Sequence, residues 1–319
     1  MRRATRLRLI ALAVVVTTLL ATAGGGDAQA AEANSGTPGS SCAGHDGGVP
    51  FDPPRNGEST TALGPDAPAY YEVGPPTGSF AGAKPKGQMI IIHGGGWHLV
   101  GKGATGFERR SADPWRAKGW QSINIDYRAC GRSMADVLWF KRRVRLLNPN
   151  AVICAEGVSA GGHLALMLAA TEGDLACVIS LGGPTDLRAI GVQTAYDPRS
   201  GTFTNAGPSK VANLAIAAFG DKLSSVNPRR FANSITARLL LATGELDPMI
   251  PAVQNSSFAS AVRAAHTDAY VDVDVLPNGP AKFIHVGTTT EALADLQRRR
   301  DQLVAPLTAK LVPPVLKQL

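Results

Sequence analysis

"NAVICAEGVSAGGHLALMLAA", residues 150–170, joins an apolar, β-branched run to an alanine- and leucine-rich one through Gly157, Ser159, Gly161 and Gly162. The first run reads as a strand and the second as a helix, so G-x-S-x-G falls at a strand–turn–helix junction. Glycine at 157 and 161 leaves room where a Cβ would clash as the chain reverses. Ser159 then stands at the apex of a strained turn, with its Oγ above the C-terminal edge of a sheet. The helix N-terminus behind it favours developing negative charge. Such a serine is a candidate nucleophile if a base and an orienting acid reach it from elsewhere in the chain.

Outward from this junction, short apolar runs alternate with helical stretches. Strands are expected at 88–92, 121–127, 150–157, 176–183, 237–244 and 269–277. Helices are expected at 107–119, 133–147, 160–172, 251–267 and 291–307. Several strands are apolar almost throughout, as parallel strands covered on both faces are. The alternation predicts an α/β fold, a mostly parallel central sheet flanked by helices. Residues 188–236 interrupt it between the strands near 176–183 and 237–244. Within this insertion 191–210 reads as loop and 211–220 as helix, and its length makes it a candidate lid or substrate loop.

"IIIHGGGWHLVG", residues 90–101, puts three glycines directly after an apolar strand. Backbone N–H groups point into a site only where side chains do not block them, and acyl transfer needs such donors for its oxyanion. Gly95 and Gly96, with the N–H of Ala160, are candidate donors. No Lys-Ser/Thr follows, as a phosphate-binding P-loop requires. His93, ahead of the serine at a strand end, reads as a support for the loop. Of the histidines after Ser159, His163 lies in the first turn of the next helix and His266 near the end of another. His285 lies in the loop after the strand 269–277, at the sheet edge where Ser159 emerges, and is the expected base. Glu245 and Asp247 both follow the strand 237–244, and Asp247 is preferred as the acid. Asp272 and Asp274 alternate within a strand and are expected to face solvent. Trp97, His98, Tyr196 and Phe203 are the expected substrate-contacting residues.

"HGGGW", "GVSAGGHLA", "GELDPMIP" and "FIHV" occur in an order that resembles the α/β-hydrolase superfamily. The likeness is to its carboxylesterase branch with an H-G-G-G oxyanion loop, the hormone-sensitive-lipase-like and acetyl-esterase or formamidase-like enzymes. "INIDYR" (123–128) also resembles that branch. The resemblance spans roughly residues 68–307. It implies the α/β-hydrolase fold, Ser159 as nucleophile, Asp247 as acid and His285 as base. It also implies Gly94, Gly95, Gly96 and Ala160 as the oxyanion site; an esterase of this kind requires no cofactor, and no C-x-x-C or His-rich spacing suggests a metal. The implied substrate is a small-molecule, lipid or carbohydrate ester; the alternatives are a secreted serine peptidase and a non-catalytic hydrolase-fold binding protein. The chain departs from the branch at Val158, where Asp is usual, and in lacking H-G-F around the last histidine.

Residues 1–30 read as a secretory signal peptide: Arg2, Arg3, Arg6 and Arg8, then an apolar stretch at 9–20, then A-x-A spacing at Ala28 and Ala30. "ATA" at 21–23 is a second candidate cleavage site, and an uncleaved anchor is the alternative. Residues 31–66, rich in Gly, Pro and Ser, are expected to form a flexible arm, and 67–319 the catalytic domain. Without the four leader arginines and Asp27, the 32 basic and 25 acidic residues become 28 and 24, a balance of +4. That mild excess argues against nucleic acid as a partner, and no stable membrane span is expected after processing. The clusters "KRRVR" (141–145) and "RRR" (298–300) are expected to be solvated helix faces. Export permits disulfides among Cys42, Cys130, Cys154 and Cys177. Cys42 with Cys130 is the preferred pair, while Cys154 and Cys177 read at least as readily as buried apolar fillers.

Overall fold

The structure, a computed structural model, describes residues 59–62, 70–98, 106–190, 192–197, 202–208 and 210–309. The leader and most of the expected arm, with Cys42, lie outside them. In chain order the elements are β1 (Ser59–Ala62), β2 (Tyr70–Gly74), β3 (Gln88–Ile92), α1 (Gly106–Ala117), β4 (Gln121–Ile125) and α2 (Ser133–Leu147). There follow β5 (Ile153–Val158), α3 (Ala160–Glu172), β6 (Cys177–Leu181), β7 (Val192–Asp197), β8 (Thr202–Pro208) and α4 (Lys210–Phe219). The last are β9 (Arg238–Gly244), α5 (Val253–Ala265), β10 (Val271–Leu276), β11 (Ala281–Phe283), β12 (Val286–Thr288) and α6 (Thr290–Ala309).

Eight strands form one sheet in the order β1-β2-β4-β3-β5-β6-β9-β10. From β4 to β10 all neighbours are parallel, whereas β1 and β2 run antiparallel at one edge. All six expected strands are in the sheet. The edge pair was not expected, and β1 places residues 59–62 of the predicted arm in the sheet. A polar Ser-Thr-Thr run carries no apolar period, and only a neighbouring strand makes it one.

Residues 89–92 of β3 are almost wholly buried, as central parallel strands are. One face packs on Trp115 of α1 and on Leu296 and Leu303 of α6. The other packs on Phe140 of α2, Leu164 of α3 and Phe258 of α5. Helix α3 is buried without interruption from Ala160 to Ala169, which its uniformly apolar sequence requires. It ends at Gly173, whose φ of 66° closes the last turn.

The structure decides one reading left open, the Cys154–Cys177 bridge, and corrects three expectations. Cys154 and Cys177 are register partners on β5 and β6 and are joined by a disulfide. Residues 192–197 and 202–208 pair as an antiparallel hairpin with Tyr196 opposite Phe203, where a loop was expected. The basic clusters are not simply solvated. Lys141 is buried against Glu172 and Asp174, and Arg300 reaches Glu156 at 2.5 Å. Arg299 pairs with Asp272 at 2.6 Å and Asp274 at 3.5 Å, so those two aspartates face a helix instead of open solvent.

Candidate active site

Strand β5 delivers Ser159 to the C-terminal edge of the sheet, and α3 begins at the next residue. Ser159 has φ 52° and ψ −119°, outside the regions a side chain tolerates easily. The surrounding glycines are sterically required. A Cβ on Gly157 would lie 2.1 Å from the carbonyl oxygen of Gly161, and one on Gly161 would lie 2.1 Å from that of Ile92. The reversal is therefore closed against both its own return and the end of β3.

Strand β9 ends at Gly244, and the turn behind it presents Asp247, whose side chain is fully buried. Its Oδ1 accepts the N–H groups of Met249 and Ile250, both at 2.9 Å. Its Oδ2 lies 2.8 Å from Nδ1 of His285. Nε2 of the same imidazole lies 3.0 Å from Ser159 Oγ. Of the three histidines that follow the serine, this is the one that reaches it. His285 sits in the turn between β11 and β12, a short hairpin where a loop was expected. A carboxylate accepting from Nδ1 keeps the Nε2 lone pair toward the hydroxyl, which is the tautomer a base needs. Glu245, the other carboxylate of this turn, is exposed.

The glycine loop lies against the serine. A Cβ on Gly94 would stand 3.0 Å from the Val158 carbonyl oxygen and 3.3 Å from Ser159 Cβ. Gly95 and Gly96 have φ 111° and 61°, which glycine adopts without strain. Among the described residues, the N–H groups of Gly95, Gly96 and Ala160 make no hydrogen bond. His93 supports the loop from below, as expected. Its Nε2 is 2.8 Å from Asp126, and its ring stacks on Tyr127 at 4.1 Å. The Tyr127 hydroxyl reaches the carbonyls of His93 and Gly94. Asp126 and Tyr127 were missed as supports, although "INIDYR" carried them.

One expected substrate contact, Trp97, is placed elsewhere, while His98 is half-buried beside α4. Trp97 is 1% exposed, with its indole turned into the core, and His98 bonds through Nε2 to the Leu214 carbonyl at 2.9 Å. Tyr196 and Phe203 lie on the β7–β8 hairpin. On β5 itself, Glu156 is completely buried between Trp115 and Arg300. Burial raises its pKa, against the lowering effect of the Arg300 charge and the two hydrogen bonds. Among the described residues no cluster of three or more His, Cys, Asp or Glu is arranged to hold a metal ion, and no helix is long and apolar enough to cross a membrane.

A mostly parallel sheet with an antiparallel edge, a serine on a strand-to-helix turn, and an aspartate and histidine after later strands define the α/β-hydrolase fold. The sequence pattern of the BD-FAE family, an α/β-hydrolase esterase family, matches residues 81–262, and the chain belongs to that family. It is a carboxylic ester hydrolase. No curated protein matches it in sequence. Among solved structures it is similar to a truncated carbohydrate esterase from gut microbiota, at 16% identity and TM-score 0.57 over 74% of this chain and 91% of that one. It is also similar to esterase 2 of Thermogutta terrifontis phosphonylated by sarin, at 18% identity and TM-score 0.58 over 75% and 90%. A puromycin-hydrolyzing peptidase of Mycobacterium tuberculosis is similar at 18% identity and TM-score 0.57, over 78% of this chain and 40% of that one. At these identities the likeness is one of fold.

Proposed function

We propose that this protein is an exported serine esterase that works through an acyl-enzyme, with Ser159, His285 and Asp247 as its catalytic residues. The observation that carries the reading is the unbroken line from Ser159 Oγ through the imidazole to the Asp247 carboxylate, with contacts of 3.0 and 2.8 Å. His285 Nε2 takes the serine proton as Oγ attacks the ester carbonyl carbon. The N–H groups of Gly95, Gly96 and Ala160 receive the oxyanion, with Gly94 giving the loop its close approach. Collapse breaks the ester C–O bond, and the alcohol leaves with the proton from His285. A water molecule, deprotonated by the same imidazole, then attacks the acyl carbon. The acid departs and the serine regains its proton. Asp247 keeps the imidazole in one tautomer and stabilises it while charged.

The leader at 1–30 supports export. The substrate is a small-molecule, lipid or carbohydrate ester; family membership supports an ester substrate and the carbohydrate-esterase neighbour is in keeping with the last of these. The β7–β8 hairpin, with Tyr196 and Phe203, is the segment we assign to substrate contact. Fluorophosphonate labelling tests the mechanism. Wild-type protein is labelled and hydrolyses p-nitrophenyl acetate, whereas Ser159→Ala does neither. Labelling of the alanine variant, or full esterase activity in it, overturns the proposal. Comparing acetyl, butyryl and palmitoyl esters then sets the chain length accepted.

A further inference from the structure

The insertion at 188–236 touches the glycine loop at four places. A Cβ on Gly96 would fall 2.8 Å from Cδ1 of Leu214 in α4. The His98 ring bonds to the Leu214 carbonyl at 2.9 Å. Phe219, at the end of α4, packs edge-on against the Trp97 ring with centroids 5.5 Å apart. The fourth contact runs through a second buried imidazole. Trp97 donates its indole N–H to Nδ1 of His163 at 3.1 Å, and Nε2 of His163 meets the Val226 carbonyl at 2.6 Å. Because indole only donates and a carbonyl only accepts, the proton of this histidine is on Nε2. His163 stands one turn beyond the nucleophile, with its backbone N–H bonded to the Ser159 carbonyl at 3.1 Å. Trp97 itself has φ 64°, a conformation a bulky residue adopts only when its surroundings enforce it.

We infer that Trp97 and His163 are positioning residues, which tie the glycine loop to the nucleophile helix and to α4 and so hold the oxyanion donors in register with Ser159. The inference rests on the serine-esterase reading above. Neither side chain touches substrate; they act through the backbone of Gly95 and Gly96. Through these contacts α4 forms part of the seat of the oxyanion loop. Burial keeps the His163 pKa at about 4, so the ring remains a neutral acceptor at ordinary pH.

The test compares Trp97→Phe, which keeps an aromatic ring but removes the donor, with His163→Leu and with His163→Asn, whose amide oxygen can still accept. For each, kcat and KM are measured on p-nitrophenyl butyrate. The inhibition constant of a trifluoromethyl ketone, whose hemiketal oxyanion needs the same donors, is measured alongside. Trp97→Phe and His163→Leu are expected to lower kcat about tenfold to hundredfold with KM nearly unchanged, and to weaken the ketone by a similar factor. His163→Asn recovers most of the loss, and Trp97→Phe combined with His163→Leu is no worse than His163→Leu alone. Folded Trp97→Phe protein with kcat and ketone affinity within about twofold of wild type overturns the inference, and this near-isosteric variant decides the matter if His163→Leu does not fold. An active Ser159→Ala enzyme overturns the serine reading and this inference together; an inactive one beside unchanged Trp97→Phe overturns this inference alone.

Discussion

Replacing Ser159 by glycine should abolish activity yet leave the protein more stable than replacing it by alanine, which is the right reference. Both substitutions delete Oγ and its bond to His285, but alanine keeps the Cβ that the backbone at φ 52°, ψ −119° resists. A non-glycine residue held in such a region costs about 1–3 kcal/mol. The mirror-image angles are ordinary extended backbone, so glycine adopts this conformation freely. Against that gain stands the greater entropy glycine recovers on unfolding, about 0.5–1 kcal/mol. The net expectation is that Ser159→Gly is more stable than Ser159→Ala by about 1–2 kcal/mol, or roughly 2–4 °C in Tm for a domain of this size. Urea and thermal unfolding with the Cys154–Cys177 disulfide intact measure the difference. A glycine variant no more stable than the alanine one refutes the claim that the fold stores strain at Ser159.

Two further outcomes follow from packing and charge. His163 titrates at about 4 in the fold against 6.5 ordinarily, because burial penalises its charged form. The unfolded chain therefore binds the extra proton first; stability from this site is intact above pH 6.5 and falls by about 3 kcal/mol in total as pH drops through 4. The groups packed on this imidazole, Trp97, Phe219 and the Val226 carbonyl, carry no charge. The difference in unfolding free energy between wild type and His163→Asn should thus narrow from pH 7 to pH 4, and a pH-independent difference would contradict the assignment. At Gly244 a Cβ would lie 2.2 Å from Val286 Cγ2, beside His285. Gly244→Ala should therefore shift the hairpin that carries the imidazole and lower kcat by about tenfold to hundredfold, read directly from ester hydrolysis.

Much of this architecture is legible along the chain. The six apolar runs became six sheet strands, and the glycine pattern around Ser159 marked the turn, because periodicity and the absence of Cβ atoms act on neighbours in sequence. The polar edge strand β1 and the hairpins β7–β8 and β11–β12 were not legible, since their residues become strands only by pairing. Trp97 illustrates the same limit within the site. Its place beside the glycines suggested a substrate contact, yet an acceptor 66 residues away turns the ring inward.

The sequence alone determined the α/β pattern, the strained serine turn and a short set of candidate partners. Tertiary structure decided among them. It brought an imidazole 126 residues from Ser159 to 3.0 Å from its hydroxyl, and an arginine 144 residues from Glu156 into a buried pair. It also turned a second histidine, one helical turn from the serine, toward the glycine loop. Local sterics specify how a segment bends, but which distant side chains meet depends on strand order, and strand order is settled only when the whole sheet buries both its faces.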